Sequence, residues 1–368
     1  MPDPTNPLRR VHALGQSVWL DDIRRGWVRD GHLAGLIADD LVAGVTSNPA
    51  IFAKAISEGA EYKESIANLA RAGRGIDEIY ETLALEDVQA AADLFRHTFS
   101  ATNGADGFVS LEVSPHLADD TRATVAEGLR LWRAFDRPNA MIKVPGTEAG
   151  LPAITELIAA GVNINVTLLF SVERYCTVVD AYLTGLEQRV KADKPIDKIA
   201  SVASFFLSRI DTLVDAKLDA LETVEAQAMR GRAAIACAKL AYQQFKQWTT
   251  SQRWQALAAN GAKPQRLLWA STSSKDPAYK DTMYVEALIA PNTVNTMPPA
   301  TVNAYRDHGD PAVRIEDDLA DATDTVRLLR DFGIDSNVVG QQLEREGVKK
   351  FKEPFDALLA TLQTRAGK

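Results

Sequence analysis

Short apolar or β-branched runs recur along this chain, and longer stretches of helical character separate them. Such alternation is typical of a parallel sheet whose strands are joined by crossover helices. Eight runs are present, and eight strands close a (β/α)8 barrel. The sequence therefore predicts an α/β protein of the TIM-type barrel class, with strands at Val18–Leu20, Val42–Val45, Phe108–Val113, Ala140–Val144, Val162–Leu168, Ala200–Phe206, Leu267–Ser271 and Tyr284–Ile289.

Polar side chains stand at the C-terminal ends of most of these runs. In a parallel barrel those ends converge on one face, where active sites are built. A purely structural role is a poor explanation for so many polar strand ends. We therefore expect one site formed by Asp21, Thr46, Asn48, Glu112, Lys143, Asn165, Thr167, Ser204 and Ser271.

Three segments of the chain are longer than the connections and ends that a minimal barrel needs. Helical periodicity over residues 62–100 and 224–259 predicts additional helices, and the charged tail over 310–368 predicts a packed helical closing segment. No Ser/Gly-rich linker, internal repeat or low-complexity tract interrupts the sequence. We therefore expect one barrel domain over residues 1–368 that carries these additions.

The composition and net charge of the chain argue against several classes of partner and of structure. The net charge of −8 argues against nucleic acid or an anionic membrane as a partner. Cys176 and Cys237 are too few for a disulfide scaffold or a cysteine-built metal site. No run reaches the roughly 18 apolar residues of a membrane span, and the N-terminal residues lack the apolar core of a signal peptide. We expect a cytoplasmic monomer or homodimer that acts on small molecules.

The motifs of nucleotide and metal enzymes are missing from the sequence. No GxGxxG follows a strand, and there is no Walker A motif, HExxH or Cys-His cluster. The five histidines are scattered without ligand spacing. We therefore expect neither a cofactor nor a metal.

Lys143 stands inside an apolar run that a Pro-Gly turn ends. An ionisable side chain in a strand covered on both faces is costly unless it is used. Desolvation disfavours the ammonium form, and a free amine can attack a carbonyl to form a Schiff base. The alternative is a lysine at a strand end that simply reaches water.

Other strand ends suggest partners for this amine. Asp21 and Glu112 each close an apolar strand, so they could act as general acid and base or merely form salt bridges to a neighbouring lysine. Asn163, Asn165 and Thr167 share one face of their strand, either as functional groups beside the lysine or as a polar layer of the barrel.

Arg209 lies just past the sixth strand. Its planar guanidinium could bind phosphate, or it could pair with an acid such as Asp211 or Asp215.

Five segments together resemble the transaldolase family. They are GVTSNPAIF at 44–52, MIKVPGTEAG at 141–150, GVNINVTLLFS at 161–171, VASFFLSRID at 202–211 and LLWASTSSKDP at 267–277. The resemblance runs along nearly the whole chain. Its length, additional helices and C-terminal extension are similar to the longer actinobacterial and cyanobacterial type.

The resemblance implies a cofactor-free barrel enzyme of the non-oxidative pentose phosphate pathway. Such an enzyme moves a dihydroxyacetone unit from a ketose phosphate, sedoheptulose 7-phosphate or fructose 6-phosphate, to an aldose phosphate. The acceptor is glyceraldehyde 3-phosphate or erythrose 4-phosphate, and the unit is carried as a lysine Schiff base.

The resemblance also implies residue roles. Lys143 matches the Schiff-base lysine, and Asp21 matches the acid/base at the C4 hydroxyl because, unlike Asp22, it directly follows its strand. Glu112 and Thr167 match the pair that holds a catalytic water. The implied substrate-binding residues are Asn48 and Asn165 with Thr46 for the dihydroxyacetone unit, Ser204 and Arg209 at the phosphate end, and Phe206 near the lysine.

One departure concerns the phosphate. Many members of the family carry a second phosphate arginine where this chain has Ser273. Either Lys275 supplies the charge, with Ser271 and Ser273 as hydroxyl donors, or the phosphate is held less tightly. The alternative for Lys275 is a solvated loop lysine beside Asp276.

Two other functions compete with transfer. A related aldolase would release free dihydroxyacetone, and the resemblance would then imply glutamine at 112 and tyrosine at 206; Glu112 and Phe206 favour transfer. A non-catalytic barrel that binds phosphosugars would need neither a nucleophile nor an acid/base.

Overall fold

A closed barrel of eight parallel strands lies at the centre of this computed structural model, which describes residues 5–367. The strands pair in sequence order, and the last closes onto the first. The barrel prediction is confirmed. The strands are β1 (Gln16–Leu20), β2 (Gly44–Val45), β3 (Phe108–Glu112), β4 (Ala140–Pro145), β5 (Ile164–Leu169), β6 (Ser201–Phe206), β7 (Arg266–Ala270) and β8 (Thr293–Met297).

The predicted eighth strand, Tyr284–Ile289, is wrong. Most of that run is a short helix, Met283–Ala287, and the strand comes later, at Thr293–Met297. Tyr284, Leu288 and Ile289 are all buried, and a short apolar run can be a buried helix as easily as a strand. The true strand is rich in β-branched residues between Pro291-Asn292 and Pro298-Pro299, and it pairs with both β7 and β1.

Helices surround the barrel and connect its strands. In the described part of the chain they are α1 (Pro7–Ala13), α2 (Arg25–Arg29), α3 (His32–Asp40), α4 (Pro49–Glu58), α5 (Lys63–Arg71), α6 (Ile76–Leu94), α7 (Arg96–Ala101), α8 (Thr121–Phe135), α9 (Gly150–Ala160), α10 (Val172–Lys191), α11 (Ser208–Asp219), α12 (Val224–Gln227), α13 (Ala233–Thr249), α14 (Gln252–Ala258), α15 (Met283–Ala287), α16 (Pro299–His308), α17 (Leu319–Asp331) and α18 (Ser336–Arg365). Within residues 5–367, no helix is long and apolar enough to cross a membrane.

The helical additions occur where the periodicity predicted them. Residues 62–100 contain α5, α6 and most of α7. Residues 224–259 contain α12, α13 and α14. The C-terminal tail contains α17 and the 30-residue α18.

Helix α18 lies across the C-terminal face of the barrel. Two of its glycines touch the end of β5 and the turn after it: a Cβ at Gly340 would lie 2.8 Å from Ser171 Cβ, and one at Gly347 would lie 2.9 Å from Leu168 Cδ2. Glu344 forms an ion pair with Arg174 at 3.0 Å. A larger side chain at Gly340 would collide with Ser171, and one at Gly347 would displace the end of the Leu168 side chain, so glycine at both positions permits this close approach.

Candidate active site

Three predicted site residues form a row across neighbouring strands. The sheet register pairs Glu112 of β3 with Lys143 of β4, and Lys143 with Asn165 of β5. All three are buried. Because Glu112 ends β3 and Lys143 lies in the C-terminal half of β4, the row reaches the face where barrel enzymes carry their chemistry.

The Lys143 amine is enclosed by protein. The residue is 3% exposed, and Nζ donates a hydrogen bond to the backbone oxygen of Ser47 at 2.9 Å. Nζ also lies 3.2 Å from Glu112 Oε2 and 5.5 Å from the centre of the Phe351 ring. This geometry disagrees with a lysine that simply reaches water, and it leaves the amine facing a carboxyl group.

Burial raises the pKa of two carboxyl groups in the site, those of Glu112 and Asp21. Burial raises the pKa of Glu112 to about 7, although the positive charge of Lys143 opposes the shift. Burial also raises the pKa of Asp21, against the effects of Lys143 and of a hydrogen bond from Thr46. Apart from the ion pair with Lys143, the Glu112 oxygens have no partner among the described residues. Glu112 is therefore suited to exchange protons near neutral pH.

The structure separates Asp21 from its neighbour Asp22. Asp21 Oδ1 accepts a hydrogen bond from Thr46 Oγ1 at 2.8 Å, and Asp21 lines the same cavity as Lys143. Asp22 instead forms an ion pair with Arg24 at 3.0 Å. Of the two aspartates, Asp21 is therefore the one that lines the lysine cavity, and its role as the acid/base stays a prediction.

Most of the predicted substrate-binding residues line this cavity. Besides Asp21 and Lys143, the predicted residues along its wall are Thr46, Asn48, Ser204, Phe206, Arg209, Ser271, Ser273 and Lys275. The remaining predicted residues, Glu112, Asn165 and Thr167, are buried beside the lysine strand or on β5.

Amide and hydroxyl groups beside Lys143 are already oriented by hydrogen bonds. Asn165 Nδ2 donates to Ser110 Oγ at 3.1 Å, and Asn165 Oδ1 accepts from Ser204 Oγ at 2.7 Å. Asn48 Oδ1 accepts from the Ile51 backbone N–H at 3.0 Å. Ser204 therefore lies with Asn165 at the level of the lysine, whereas the resemblance implied a position at the phosphate end.

Thr167 follows Asn165 by two positions on β5 and is fully buried. The register between β5 and β6 shifts between Val166 and Leu169, and Leu168 has a φ of 64°. The Thr167 hydroxyl has no hydrogen-bond partner within residues 5–367. A buried hydroxyl without a partner is costly, and a bound water or substrate group would satisfy it.

Arg209 lies between two aromatic rings. Its Cζ atom is 5.4 Å from the centre of the Phe206 ring and 5.9 Å from that of Phe351. Burial lowers the pKa of Arg209, and its Nη1 atom is buried without a hydrogen-bond partner among the described residues. Both cation–π contacts hold the guanidinium in place while one of its nitrogens stays free to bind an anion.

The acids near Arg209 in sequence have other partners. Asp211 accepts hydrogen bonds from the Ala234 backbone N–H at 2.8 Å and from Tyr284 Oη at 2.8 Å. Asp215 accepts from the Gly231 backbone N–H at 2.9 Å and from Tyr279 Oη at 2.6 Å. Neither acid forms a salt bridge with the arginine, so the structure does not support that alternative.

Lys275 turns towards the same cavity from the loop after β7. Its Nζ atom donates to Ser273 Oγ at 2.7 Å, and partial burial together with the charge of Arg209 lowers the pKa of Lys275. Asp276 forms an ion pair with Arg230 at 2.8 Å. Lys275 is exposed as a whole, but it lines the same cavity as Arg209, so the two side chains can act on one anion.

Four residues of the cavity wall were not predicted: Ala270, Thr296, Pro298 and Phe351. Thr296 Oγ1 lies 2.6 Å from Thr46 Oγ1, and it was missed because the eighth strand was placed too early. The β-branched run between two proline-containing turns would have identified that strand. No local pattern distinguishes Phe351 from the other apolar residues of its helix.

The fold and the site together define a (β/α)8-barrel enzyme with a buried lysine between carboxyl groups. Comparison with known proteins gives the family. The chain belongs to the family described as Transaldolase/Fructose-6-phosphate aldolase, whose model matches residues 18–362.

Similar proteins that carry the name transaldolase cover almost all of the chain. One from Trichodesmium erythraeum is 48% identical over 99% of this chain and 98% of its own. One from Saccharopolyspora erythraea is 52% identical, covering 97% of this chain and 96% of its own. A protein named Transaldolase 2, from Nostoc sp., is 48% identical and covers 97% of both chains. The resemblance seen in the sequence is confirmed.

Proposed function

We propose that this chain is a transaldolase that transfers a dihydroxyacetone unit from a ketose phosphate to an aldose phosphate through a Schiff base on Lys143. The observation that carries the proposal is the buried amine of Lys143, 3.2 Å from Glu112, in a cavity that Asp21 also lines. One nucleophile and two separately placed carboxyl groups are what imine formation and carbon–carbon cleavage require.

Imine formation is the first step. The Lys143 amine attacks C2 of the ketose, and the resulting carbinolamine loses its hydroxyl group as water. With a pKa near 7, Glu112 can give a proton to the departing hydroxyl and take it back during hydrolysis. Thr167, whose hydroxyl has no partner among the described residues, can hold the water that takes part.

Cleavage of the C3–C4 bond is the second step. Asp21 takes the proton of the C4 hydroxyl, the aldose phosphate leaves as an aldehyde, and the bonding electrons pass into an enamine over C3, C2 and nitrogen. The steps then run in reverse with the acceptor: C3 attacks its aldehyde carbon, and Asp21 returns the proton. Water finally hydrolyses the imine and restores the lysine.

The amide and hydroxyl groups beside the lysine orient the three-carbon unit. Asn48 and Asn165 hold its hydroxyl groups, with Ser204 fixing the Asn165 amide through the 2.7 Å hydrogen bond. Thr46 donates to Asp21 and so keeps that carboxylate facing the cavity. Groups held in place before the reaction lower its entropic cost.

Arg209 and Lys275 bind the phosphate. The free Nη1 nitrogen of Arg209 supplies an oriented contact, whereas Lys275 supplies a point charge. Ser271, whose Oγ lies 2.7 Å from Ser208 Oγ, is a further hydroxyl donor on the same side of the cavity. Sugar phosphates are highly charged and do not cross membranes freely, so we also propose that the enzyme is cytoplasmic. We propose separately that it is a monomer or a homodimer.

The family also contains fructose 6-phosphate aldolases, so transfer must be tested against release. The experiment supplies fructose 6-phosphate with and without erythrose 4-phosphate and measures glyceraldehyde 3-phosphate and free dihydroxyacetone. A transaldolase forms glyceraldehyde 3-phosphate continuously only with the acceptor. Equal rates without the acceptor, accompanied by free dihydroxyacetone, would show an aldolase instead.

A further inference from the structure

The C-terminal helix contributes one aromatic side chain to the active-site cavity. Phe351 of α18 is 4% exposed and lines the cavity that contains Asp21 and Lys143. Its ring centre is 5.5 Å from Lys143 Nζ and 5.9 Å from Arg209 Cζ. One ring therefore stands over both the nucleophile and the arginine.

The position of this ring is fixed by the packing of its helix. Gly340 and Gly347 bring α18 against Ser171 and Leu168, which belong to the β5 end of the barrel. Further along the helix, Arg365 Nη1 donates to the backbone oxygen of Ile56 at 2.7 Å. Anchored on both sides of Phe351, the helix holds the ring at the mouth of the barrel.

We infer that Phe351 is a specificity-determining residue that makes the enzyme transfer the dihydroxyacetone unit instead of releasing it. This inference rests on the proposed transaldolase activity. Between departure of the first aldose and arrival of the second, the unit remains on Lys143 as an enamine. An apolar ring over Lys143 keeps bulk water from that intermediate, and water exclusion is a recognised means of suppressing side reactions.

The side reaction that the ring suppresses needs only water. A proton from water adds to C3 of the enamine, and the electron pair of the C2–C3 double bond forms the new C–H bond, which leaves an iminium ion. A second water gives one proton to the hydroxide left by the first water and adds to C2 as a hydroxyl group. The proton of that hydroxyl passes to nitrogen as the C2–N bond breaks, so dihydroxyacetone leaves with a C2 carbonyl and Lys143 regains its amine. Without Phe351, both water molecules reach the intermediate more easily.

The test compares three variants with the wild type under two conditions. Phe351→Ala removes the ring, and Phe351→Leu keeps apolar volume there. Phe355→Ala is the matched control: Phe355 lies one turn further along α18, is 7% exposed, and packs on Tyr80 at 5.2 Å between ring centres without lining the Lys143 cavity. Each protein receives fructose 6-phosphate alone and with erythrose 4-phosphate, and dihydroxyacetone and sedoheptulose 7-phosphate are measured.

With the acceptor present, Phe351→Ala should raise the ratio of released dihydroxyacetone to sedoheptulose 7-phosphate by about tenfold or more. Such a rise means that the barrier to hydrolysis falls relative to the barrier to transfer. Phe351→Leu should stay near the wild-type ratio. Phe355→Ala should keep that ratio although it lowers the thermal midpoint of unfolding to a similar degree.

Several results would overturn the inference. An unchanged ratio in Phe351→Ala would do so, as would an equal rise in Phe355→Ala, because the loss would then follow from loosening of the helix. A ratio in Phe351→Leu as high as that in Phe351→Ala would refute apolar cover as the cause. Failure of the proposed function is seen separately, as a wild-type enzyme that forms no sedoheptulose 7-phosphate.

Discussion

Replacement of Arg209 by alanine should weaken the use of phosphorylated substrates selectively. The guanidinium is held between Phe206 and Phe351, and its Nη1 atom has no hydrogen-bond partner among the described residues. A substrate phosphate would fill that unmet capacity. The assay measures kcat/KM for fructose 6-phosphate and for unphosphorylated fructose with the same acceptor.

The magnitude follows from the kind of contact. A hydrogen bond to a charged group contributes roughly 1.5–3 kcal/mol, so loss of a two-bond contact, partly replaced by water, should cost about 3 kcal/mol. At ~1.4 kcal/mol per factor of ten, kcat/KM for fructose 6-phosphate should fall about 100-fold. Part of that loss should appear in kcat, since binding energy from a remote phosphate can be used at the reacting centre.

Lys275→Ala should have the same selectivity and a smaller effect. Lys275 is exposed, and exposed ion pairs contribute only about 0.2–1 kcal/mol, so a loss of about two- to fivefold is expected. Arg209→Lys should lie between alanine and wild type because it keeps the charge without the planar fork.

Arg230→Ala is the matched arginine control, since Arg230 pairs with Asp276 and does not line the Lys143 cavity. If Arg209→Ala lowered activity equally on fructose and fructose 6-phosphate, the phosphate role would be refuted. The same outcome for Lys275→Ala would mean that this lysine supports the fold or the chemistry.

The remaining predictions concern the chemical steps. Borohydride with fructose 6-phosphate should add a three-carbon mass to the peptide that contains Lys143, and Lys143→Arg should be inactive because guanidinium is not a usable nucleophile; a label on another lysine would contradict this. Asp21→Asn should still allow imine trapping yet slow cleavage by about 10²–10⁴-fold, whereas Asp22→Asn should be mild, and the reverse pattern would show that the wrong aspartate was chosen. Because its raised pKa keeps the proton on Glu112 up to about pH 7, acid-assisted loss of water in the wild type should slow as the pH rises through 7. In Glu112→Gln, imine formation measured by stopped-flow trapping should be slower and lack that pH dependence; an identical pH profile would exclude Glu112 as the titrating group.

Much of the barrel could be predicted because its strands have an unusual environment. Strands such as β4 and β5 are covered on both faces, so their sequences are nearly continuous apolar runs that polar residues interrupt only at the site. The same rule failed at Tyr284–Ile289, where a helix packed on the barrel is equally apolar. Local hydrophobicity records burial, and it does not record which backbone conformation achieves the burial.

Some residues of the site could likewise be predicted from the sequence, and others could not. Lys143 and Asn165 could be found because each is a polar residue inside an otherwise largely apolar strand of the barrel. Phe351 could not be found, because its place depends on how a distant helix packs across the barrel. The hydrogen bond that joins Ser204 to Asn165 likewise depends on the register of two strands, which the sequence pattern leaves open.

The barrel closes by pairing its first strand, β1, with its last, β8, so this pairing can form only late in synthesis. Gln16 Nε2 donates to Thr293 Oγ1, a partner 277 positions later in the sequence. During synthesis, β1 therefore stays an unpaired sheet edge until most of the chain has left the ribosome, and exposed edges invite pairing with other chains.

Loop-closure entropy grows only slowly with length, so this long separation affects the folding rate and the risk of aggregation more than it affects the final stability. Loss of β8 by premature termination would leave one edge of β1 and one edge of β7 unpaired, while β1 would still pair with β2 and β7 with β6. Such a truncated product should aggregate, although it would retain every carboxyl group and the lysine of the site.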